Sequence, residues 1–279
     1  MTGPIPGALE ARLGRVGYTP EASRVHWETQ CLALECPVAI EINGIAFAVM
    51  MATPLDLEDF VTGFLMAEGL ARAEDVGEVA LHAVDQGDWG QGMVARVSLP
   101  SECLGPVMER ARRRIGDSSC GICGLDGIET ALRPLPVLAT RLRVRREAVG
   151  RALGAMRGAQ TLGQATRATH AAAFCDAQGA LLLVREDVGR HNALDKLVGA
   201  LARTGTDPAT GFIVMTSRCS YELVEKTVRA GCSLLVTISA PTDLAARRAK
   251  AAGLALCVVA REDSMFMTQV DGGGPFIEP

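Results

Sequence analysis

Aromatic side chains are scarce: they make up 4% of the 279 residues, with two tryptophans and two tyrosines. A base-stacking platform for nucleic acid is hard to build from so few rings. Long apolar runs are also missing. The longest, Ile45 to Ala52 and Ala180 to Val184, have the length of strands and fall far short of the roughly 20 residues that cross a bilayer. No stretch at the start combines a charged head, an apolar run and a cleavage site, and the nine cysteines fall in an odd number at irregular spacings. That usage predicts reduced thiols and a cytoplasmic protein with no nucleic-acid or membrane partner. What is present, 48% hydrophobic and 22% charged residues, suits one large or two ordinary packed domains.

The net charge of −4 conceals an asymmetry. Between Arg110 and Arg151 ten arginines stand against four acids, a local balance of +6 that leaves −10 for the rest of the chain. Inside this basic zone lies Ser118-Ser119-Cys120-Gly121-Ile122-Cys123-Gly124. Clustered glycines predict an exposed loop. A positive field favours thiolate over thiol and attracts anions. A Cys-x-x-Cys serves as half of a zinc site, as a dithiol redox centre or as a nucleophile with a second thiol nearby. Structural zinc needs four ligands, and the other cysteines form no second close pair. A thioredoxin-like centre follows a strand, whereas this pair follows a predicted basic helix. A mobile nucleophile able to carry sulfane sulfur as a persulfide fits the setting better.

Residues 1–26 mix Gly, Pro and charge without periodicity and read as a loose arm, followed by an α+β domain over 27–117, a thiol loop and linker over 118–132, and a second domain over 133–279. In the first domain Asn43-Gly44 predicts a tight hairpin between Glu35–Ile42 and Ile45–Ala52. Thr53-Pro54 reads as the cap and first position of a helix covering that hairpin. A second strand pair, Val79–Val84 and Met93–Leu99, and a basic helix over Glu102–Ile115 complete the unit. In the second domain, strands at 171–176, 180–186, 211–216, 233–239 and 254–260 alternate with helices at 192–203, 220–230 and 242–252, which predicts a largely parallel sheet covered on both faces. Its polar strand-to-helix junctions would meet at one edge of the sheet. One is Arg185-Glu186-Asp187-Val188-Gly189-Arg190-His191-Asn192-Ala193-Leu194-Asp195-Lys196, where Arg190, His191 and Asn192 suit a phosphate or a guanine-like base. Others are Thr216-Ser217-Arg218-Cys219-Ser220 and Ser239-Ala240-Pro241-Thr242. Their convergence would make a binding cleft.

Taken together, these segments, with Val38 to Gly44, Thr169-His170-Ala171-Ala172 and Ser220 to Lys226, resemble the formate dehydrogenase accessory sulfurtransferase family, FdhD, from about Glu35 to Thr268. The resemblance implies a homodimer whose C-terminal domain is a cytidine-deaminase-like α/β/α unit. It implies an activity in which sulfane sulfur from a cysteine desulfurase is passed to the molybdenum or tungsten bis(molybdopterin guanine dinucleotide) cofactor, which formate dehydrogenase needs in sulfurated form. Cys120 would then carry the persulfide, with Cys123 accessory. The family's cofactor-contacting loop aligns with Val259, Ala260, Arg261, Glu262, Asp263 and Ser264; Arg261 matches, while relatives often have an aromatic residue at 259 and a second base at 264. Relatives also often have Gly-Gly within 166–169 and Gly at 217, where this chain has Thr166-Arg167-Ala168-Thr169 and Ser217. The rival readings are a cofactor-binding chaperone without covalent chemistry and a zinc hydrolase. Against the hydrolase, the sequence has no His-x-Glu with a downstream Pro-Cys-x-x-Cys.

Overall fold

The computed structural model describes residues 4–18, 25–113, 134–268 and 277–278. The chain opens with a two-stranded antiparallel ribbon, β1 (Ala8–Arg15) against β2 (His26–Ala33). Part of the expected loose arm is therefore a strand. Its alternation of apolar and charged residues runs only from Leu9 to Leu13, and most of the ribbon's side chains stay in solvent.

The N-terminal sheet runs β4-β3-β6-β5, from β3 (Cys36–Ile42), β4 (Ile45–Ala52), β5 (Val79–Asp85) and β6 (Gln91–Val97). The β3–β4 hairpin turns at Asn43 and Gly44 with φ of 48° and 79°, the left-handed pair that a two-residue turn needs. Strict alternation in β3 puts Val38, Ile40 and Ile42 against α1 (Leu57–Ala67), and α2 (Leu104–Arg113) adds Val107 to the same core. The expected helix start at Thr53-Pro54 does not hold. Asp56, in the left-handed region, precedes α1, and the polar groups of Thr53 are engaged with the C-terminal unit.

That unit contains β7 (Val144–Arg145), α3 (Arg146–Ala159), α4 (Thr161–Thr166), β8 (His170–Asp176), β9 (Leu181–Asp187), α5 (Arg190–Thr204), β10 (Gly211–Met215), α6 (Tyr221–Arg229), β11 (Leu234–Thr237), α7 (Asp243–Ala252), β12 (Ala255–Val258), β13 (Phe266–Met267) and β14 (Ile277–Glu278). The expected strands and helices of this half are present, while α3 and α4 were not foreseen. The main sheet has the order β13-β12-β11-β10-β8-β9. It is mixed rather than largely parallel: β10, β11 and β12 are parallel, whereas β8 runs against both β9 and β10, and β13 against β12. The cause is local. Asp176 closes a short turn by accepting the N–H groups of Gln178 and Ala180 at 2.9 Å, so β8 and β9 form a hairpin in place of a crossover. Helices α5, α6 and α7 pack on one face of the sheet and α3 on the other. The chain is thus mixed α/β, as expected. Among the described residues no helix is long and apolar enough to cross a membrane.

Helix α1 has two apolar duties. It covers the N-terminal sheet and it also crosses α5, at a point where Gly63 faces Gly199. A Cβ on Gly63 would stand 1.8 Å from the Asp195 carbonyl oxygen, and one on Gly199 would stand 1.9 Å from that of Asp59. Backbone lies against backbone there, so neither helix can yield by turning a side chain. Replacing Gly63 or Gly199 by Ala is expected to cost about 3 kcal/mol or more in urea-unfolding stability. Gly158→Ala, exposed near the end of α3 with nothing within 4 Å, should leave the midpoint unchanged or raise it slightly.

Candidate functional site

The segment from Arg185 to Lys196, rich in ionisable groups, spans the end of β9 and the start of α5, and most of its charges are turned inward. Asp187 and Lys196 are fully buried and 2.7 Å apart. Around them, Asp187 accepts the N–H of Thr53 at 3.0 Å, that of Gly189 at 2.8 Å and the amide of Asn192 at 3.0 Å, while Lys196 donates to the Thr53 carbonyl at 2.9 Å. The Asn192 amide also donates to Met51 O at 2.8 Å. Asn192, expected to bind a cofactor, is 4% exposed and committed to joining the two units; its donor is spent on protein oxygens. A second junction forms where Arg185 and Arg203 share the buried carboxylate of Asp59 at 2.7 and 2.5 Å. Glu186 receives the N–H groups of Leu162 and Gly163 at the start of α4.

The junctions do meet at one edge. Because β8 is reversed, its first residue, His170, lies beside the carboxyl ends of β9, β10, β11 and β12. Main-chain bonds tie the edge together: Thr216 to Ala171, Cys219 to Ala240, Thr242 to Cys219, Val259 to Ser239 and Ala260 to Thr237. From the end of β9 to the end of β12 is four strand spacings, about 19 Å.

At the β9 end, His191 Nε2 lies 3.4 Å from Ser220 Oγ and 3.8 Å from Glu222 Oε2. Burial, followed by the positive field of Arg190, Lys226, Arg218 and His170, holds the His191 imidazolium down to about 3. His170 is also lowered, by burial and then by Arg190. These shifts record several cationic or cation-capable groups crowded at one place. Arg190 Nε and Glu222 Oε2 are buried without a hydrogen-bond partner, while Arg218 is exposed. The arrangement offers positive field and free donors to an anion and holds neutral imidazole beside a hydroxyl. The sequence reading names Ser220 and Glu222 only as members of the 216–220 junction and of the Ser220 to Lys226 segment, with no role of their own. Their signal is positional, since they flank Tyr221 at the first turn of α6, facing the first turn of α5.

The loop 259–264 stands at the other end of the edge. Val259 has φ of 50°, a left-handed conformation that a β-branched residue rarely adopts. Three of the loop's amides are spent internally, at Val259, Ala260 and Arg261, the last on Ser264 O at 2.7 Å. Arg261 Nη1 donates to the carbonyls of Ile238 at 2.5 Å and Ala260 at 2.9 Å. Glu262 pairs with Arg157 at 3.3 Å, and the Ser264 hydroxyl donates to Asp263 at 3.1 Å. The structure therefore aligns Arg190, His191 and Arg218 with loop 259–264 along one edge, at opposite ends of it. Ala260 is buried at 1% exposure, with its side chain in the core.

Cys120 and Cys123 lie outside the described residues. Buried Cys175, Cys219 and Cys257 have thiols pushed up to about 12, and Cys232 to about 11, in each case by burial. None of these four supplies a thiolate near neutral pH. Among the described residues no group of three or more His, Cys, Asp or Glu side chains is placed to hold a metal ion. A cavity of about 290 Å³ lined by Glu58, Thr62, Glu78 and Arg203 opens at the far end of α5. It is separated from His191 by about 18 Å of helix and belongs to the contact between units.

Two measurements test this description. Lys196→Ala strands Asp187 without its cation and is expected to cost about 3–5 kcal/mol in denaturant unfolding. The neutral His191 ring gives a pH signature. Its stability contribution is complete above about 6.5 and is lost as pH falls toward about 3, because the unfolded chain takes up the proton first. Asp195, raised to about 6 by burial against the pull of Lys226, acts in the opposite sense, so the comparison must be with a variant. Relative to His191→Gln, the wild type should lose about 2 kcal/mol between pH 7 and pH 5.

The profile described as the FdhD/NarQ family matches residues 33–268. "Sulfur carrier protein FdhD" of Xanthomonas campestris pv. campestris strain B100 is 48% identical over 231 residues, covering 83% of this chain and 81% of that protein. The protein of the same name from Bordetella petrii is 45% identical over 249 residues, covering 89% and 85%. A crystal structure named for a formate dehydrogenase accessory protein of Desulfotalea psychrophila superposes with a TM-score of 0.71 at 21% identity, covering 95% of this chain and 98% of that one, and shares the fold. With a match that runs through both units and includes every segment of the sheet edge, the chain belongs to the FdhD/NarQ family.

Proposed function

We propose that this protein is a sulfur carrier in formate dehydrogenase maturation. The observation that carries the reading is the family match, with relatives named as sulfur carriers at 45–48% identity over four fifths of their length. In the proposed reaction the Cys120 thiolate attacks the outer sulfur of a persulfide on a cysteine desulfurase. A new S–S bond forms at Cys120 as the donor's S–S bond breaks, and the donor cysteine leaves as thiolate. The S–S bond at Cys120 then breaks as its outer sulfur passes to the reduced metal of a molybdenum or tungsten bis(molybdopterin guanine dinucleotide), which is substrate here and not a resident group; that metal supplies the two electrons that turn sulfane sulfur into sulfide, and Cys120 leaves as thiolate. Cys123 serves as the accessory thiol. The ten-arginine zone supports a low thiol pKa at Cys120, and the raised thiols of the sheet leave the loop pair without competition from them.

The sheet edge suits the second half of the reaction. Its length, about 19 Å, fits an elongated dinucleotide, and phosphates would sit by Arg190 and Arg218 with their charge matched by the two guanidiniums. The spent amides of loop 259–264 leave its contribution to the remaining N–H groups, from Glu262 onward, and to the free nitrogens of Arg261.

The test is intact-protein mass spectrometry after incubation with an active cysteine desulfurase and L-cysteine, using wild type, Cys120→Ala and Cys123→Ala. The expected result is a gain of one sulfur, removed by reductant, in wild type and Cys123→Ala but not in Cys120→Ala. No gain in the wild type, or full formate dehydrogenase activity in cells carrying Cys120→Ala, would overturn the covalent step. Arg190→Ala should weaken binding of guanosine diphosphate by about tenfold, the loss of one charge-assisted contact, and leave the sulfur gain intact.

A further inference from the structure

We infer that the cavity at the seam of the two units is a binding site for a small apolar α-amino acid in its zwitterionic form. At about 290 Å³ it stands at the small end of ligand pockets, a size for a metabolite. Its walls come from three places. Helix α1 supplies Glu58 and Thr62, the chain running into β5 supplies Val76, Glu78 and Val79, and the last turn of α5 supplies Arg203. The first two belong to the N-terminal unit and the third to the C-terminal one, so neither unit forms the site alone. Glu58 is half-buried, while Glu78 and Arg203 stand at the solvent rim.

The charged groups that line the cavity are unspent. Arg203 gives Nη1 to Asp59, which leaves Nε and Nη2, the other edge of the guanidinium, without a partner among the described residues. That edge presents two parallel N–H groups, the geometry that holds a carboxylate bidentately. Asp59 does not neutralise it, because the same carboxylate is shared with Arg185 at 2.7 Å and one positive charge is left over at this junction. Across the cavity, the side-chain carboxylates of Glu58 and Glu78 have neither a donor nor a cation among the described residues. An ammonium carries three N–H donors and satisfies both. Between the two poles Val76 and Val79 make an apolar wall, and Thr62 adds no donor, since its hydroxyl is given to the Glu58 carbonyl at 2.8 Å. A guanidinium fork, an unpaired anionic pole and an apolar wall correspond to the carboxylate, the ammonium and the side chain of an α-amino acid. A simple amine would leave the fork empty, and a simple carboxylate would meet Glu58 and Glu78 with like charge. Because the ligand's carboxylate goes to α5 and its ammonium to the N-terminal unit, it binds only when the units are docked and ties them together.

The test is isothermal titration of the full chain with L-valine, and with isobutylamine and isovalerate, which are valine without its carboxylate and without its ammonium. L-Valine is expected to saturate with a dissociation constant on the order of 1 mM, the range open to so few ligand atoms. Either half-molecule should bind at least about tenfold more weakly. Arg203→Lys keeps a cation opposite Asp59 but has no fork, and Glu58→Gln and Glu78→Gln keep shape without charge; each should raise the valine dissociation constant at least about tenfold. Arg203→Lys should leave the weak binding of isobutylamine unchanged, a result that a general loosening of the seam would not give. Saturating L-valine should also raise the thermal midpoint of the wild type and not that of Arg203→Lys. No saturation by about 10 mM, a half-molecule that binds as well as valine, or valine binding indifferent to all three substitutions would each overturn the site. The cavity lies about 18 Å along α5 from His191 and none of these readouts involves sulfur, so this inference and the proposed function fail separately.

Discussion

The buried pair Asp187–Lys196 holds the molecule's two units in one arrangement. Neither charge reaches water, so each depends on the other and on the peptide groups of Thr53, Gly189 and Glu186 that complete the shell. A pair of this kind gives little net stability over an apolar substitute, but it tolerates no displacement, because a partial separation leaves charge in a low-dielectric interior. Thr53 belongs to the N-terminal unit and the pair to the C-terminal one, which makes the end of β4 and the start of α5 a single construction. Asp59 of α1, held between Arg185 of β9 and Arg203 of α5, repeats the device.

The open edge follows from that construction. Once the inward charges of the 185–196 segment are paired, the groups left over are Arg190 and His191, at the first turn of α5. They meet Arg218, Ser220 and Glu222 because β8 runs backward and α5 crosses over it to deliver β10 alongside. The cationic character of the edge is therefore what remains once the fold's internal charges are paired, and burial, with that field added to it, keeps the proton affinity of His191 low.

Much of this was legible in the chain. The Asn43-Gly44 hairpin, the strand and helix rhythm beyond residue 170 and the meeting of the polar junctions all followed from short-range pattern. Three things did not. The direction of β8 depends on a side-chain turn at Asp176 that leaves no periodic trace. The roles of Asn192 and Thr53 depend on partners more than 130 residues away, and an isolated Asn beside a His looks the same whether it faces ligand or protein. The ribbon strand β1 alternates apolar and charged residues over only Leu9 to Leu13, between Gly7 and Gly14, and a pattern that short reads as part of a loose arm. Nor did the sequence mark Arg167, which closes α4 with φ of 57°, a conformation that favours glycine.

The crossing of α1 over α5 carries a consequence for how such a protein can change over generations. With the backbones in contact at Gly63 and Gly199, the two helices have no spare volume in which to drift, and a new side chain on one cannot be absorbed by a smaller one on the other. The N-terminal and C-terminal units are thus poor candidates for shuffling into other proteins. They must be inherited together, as a matched set, whatever happens to the loops that surround them.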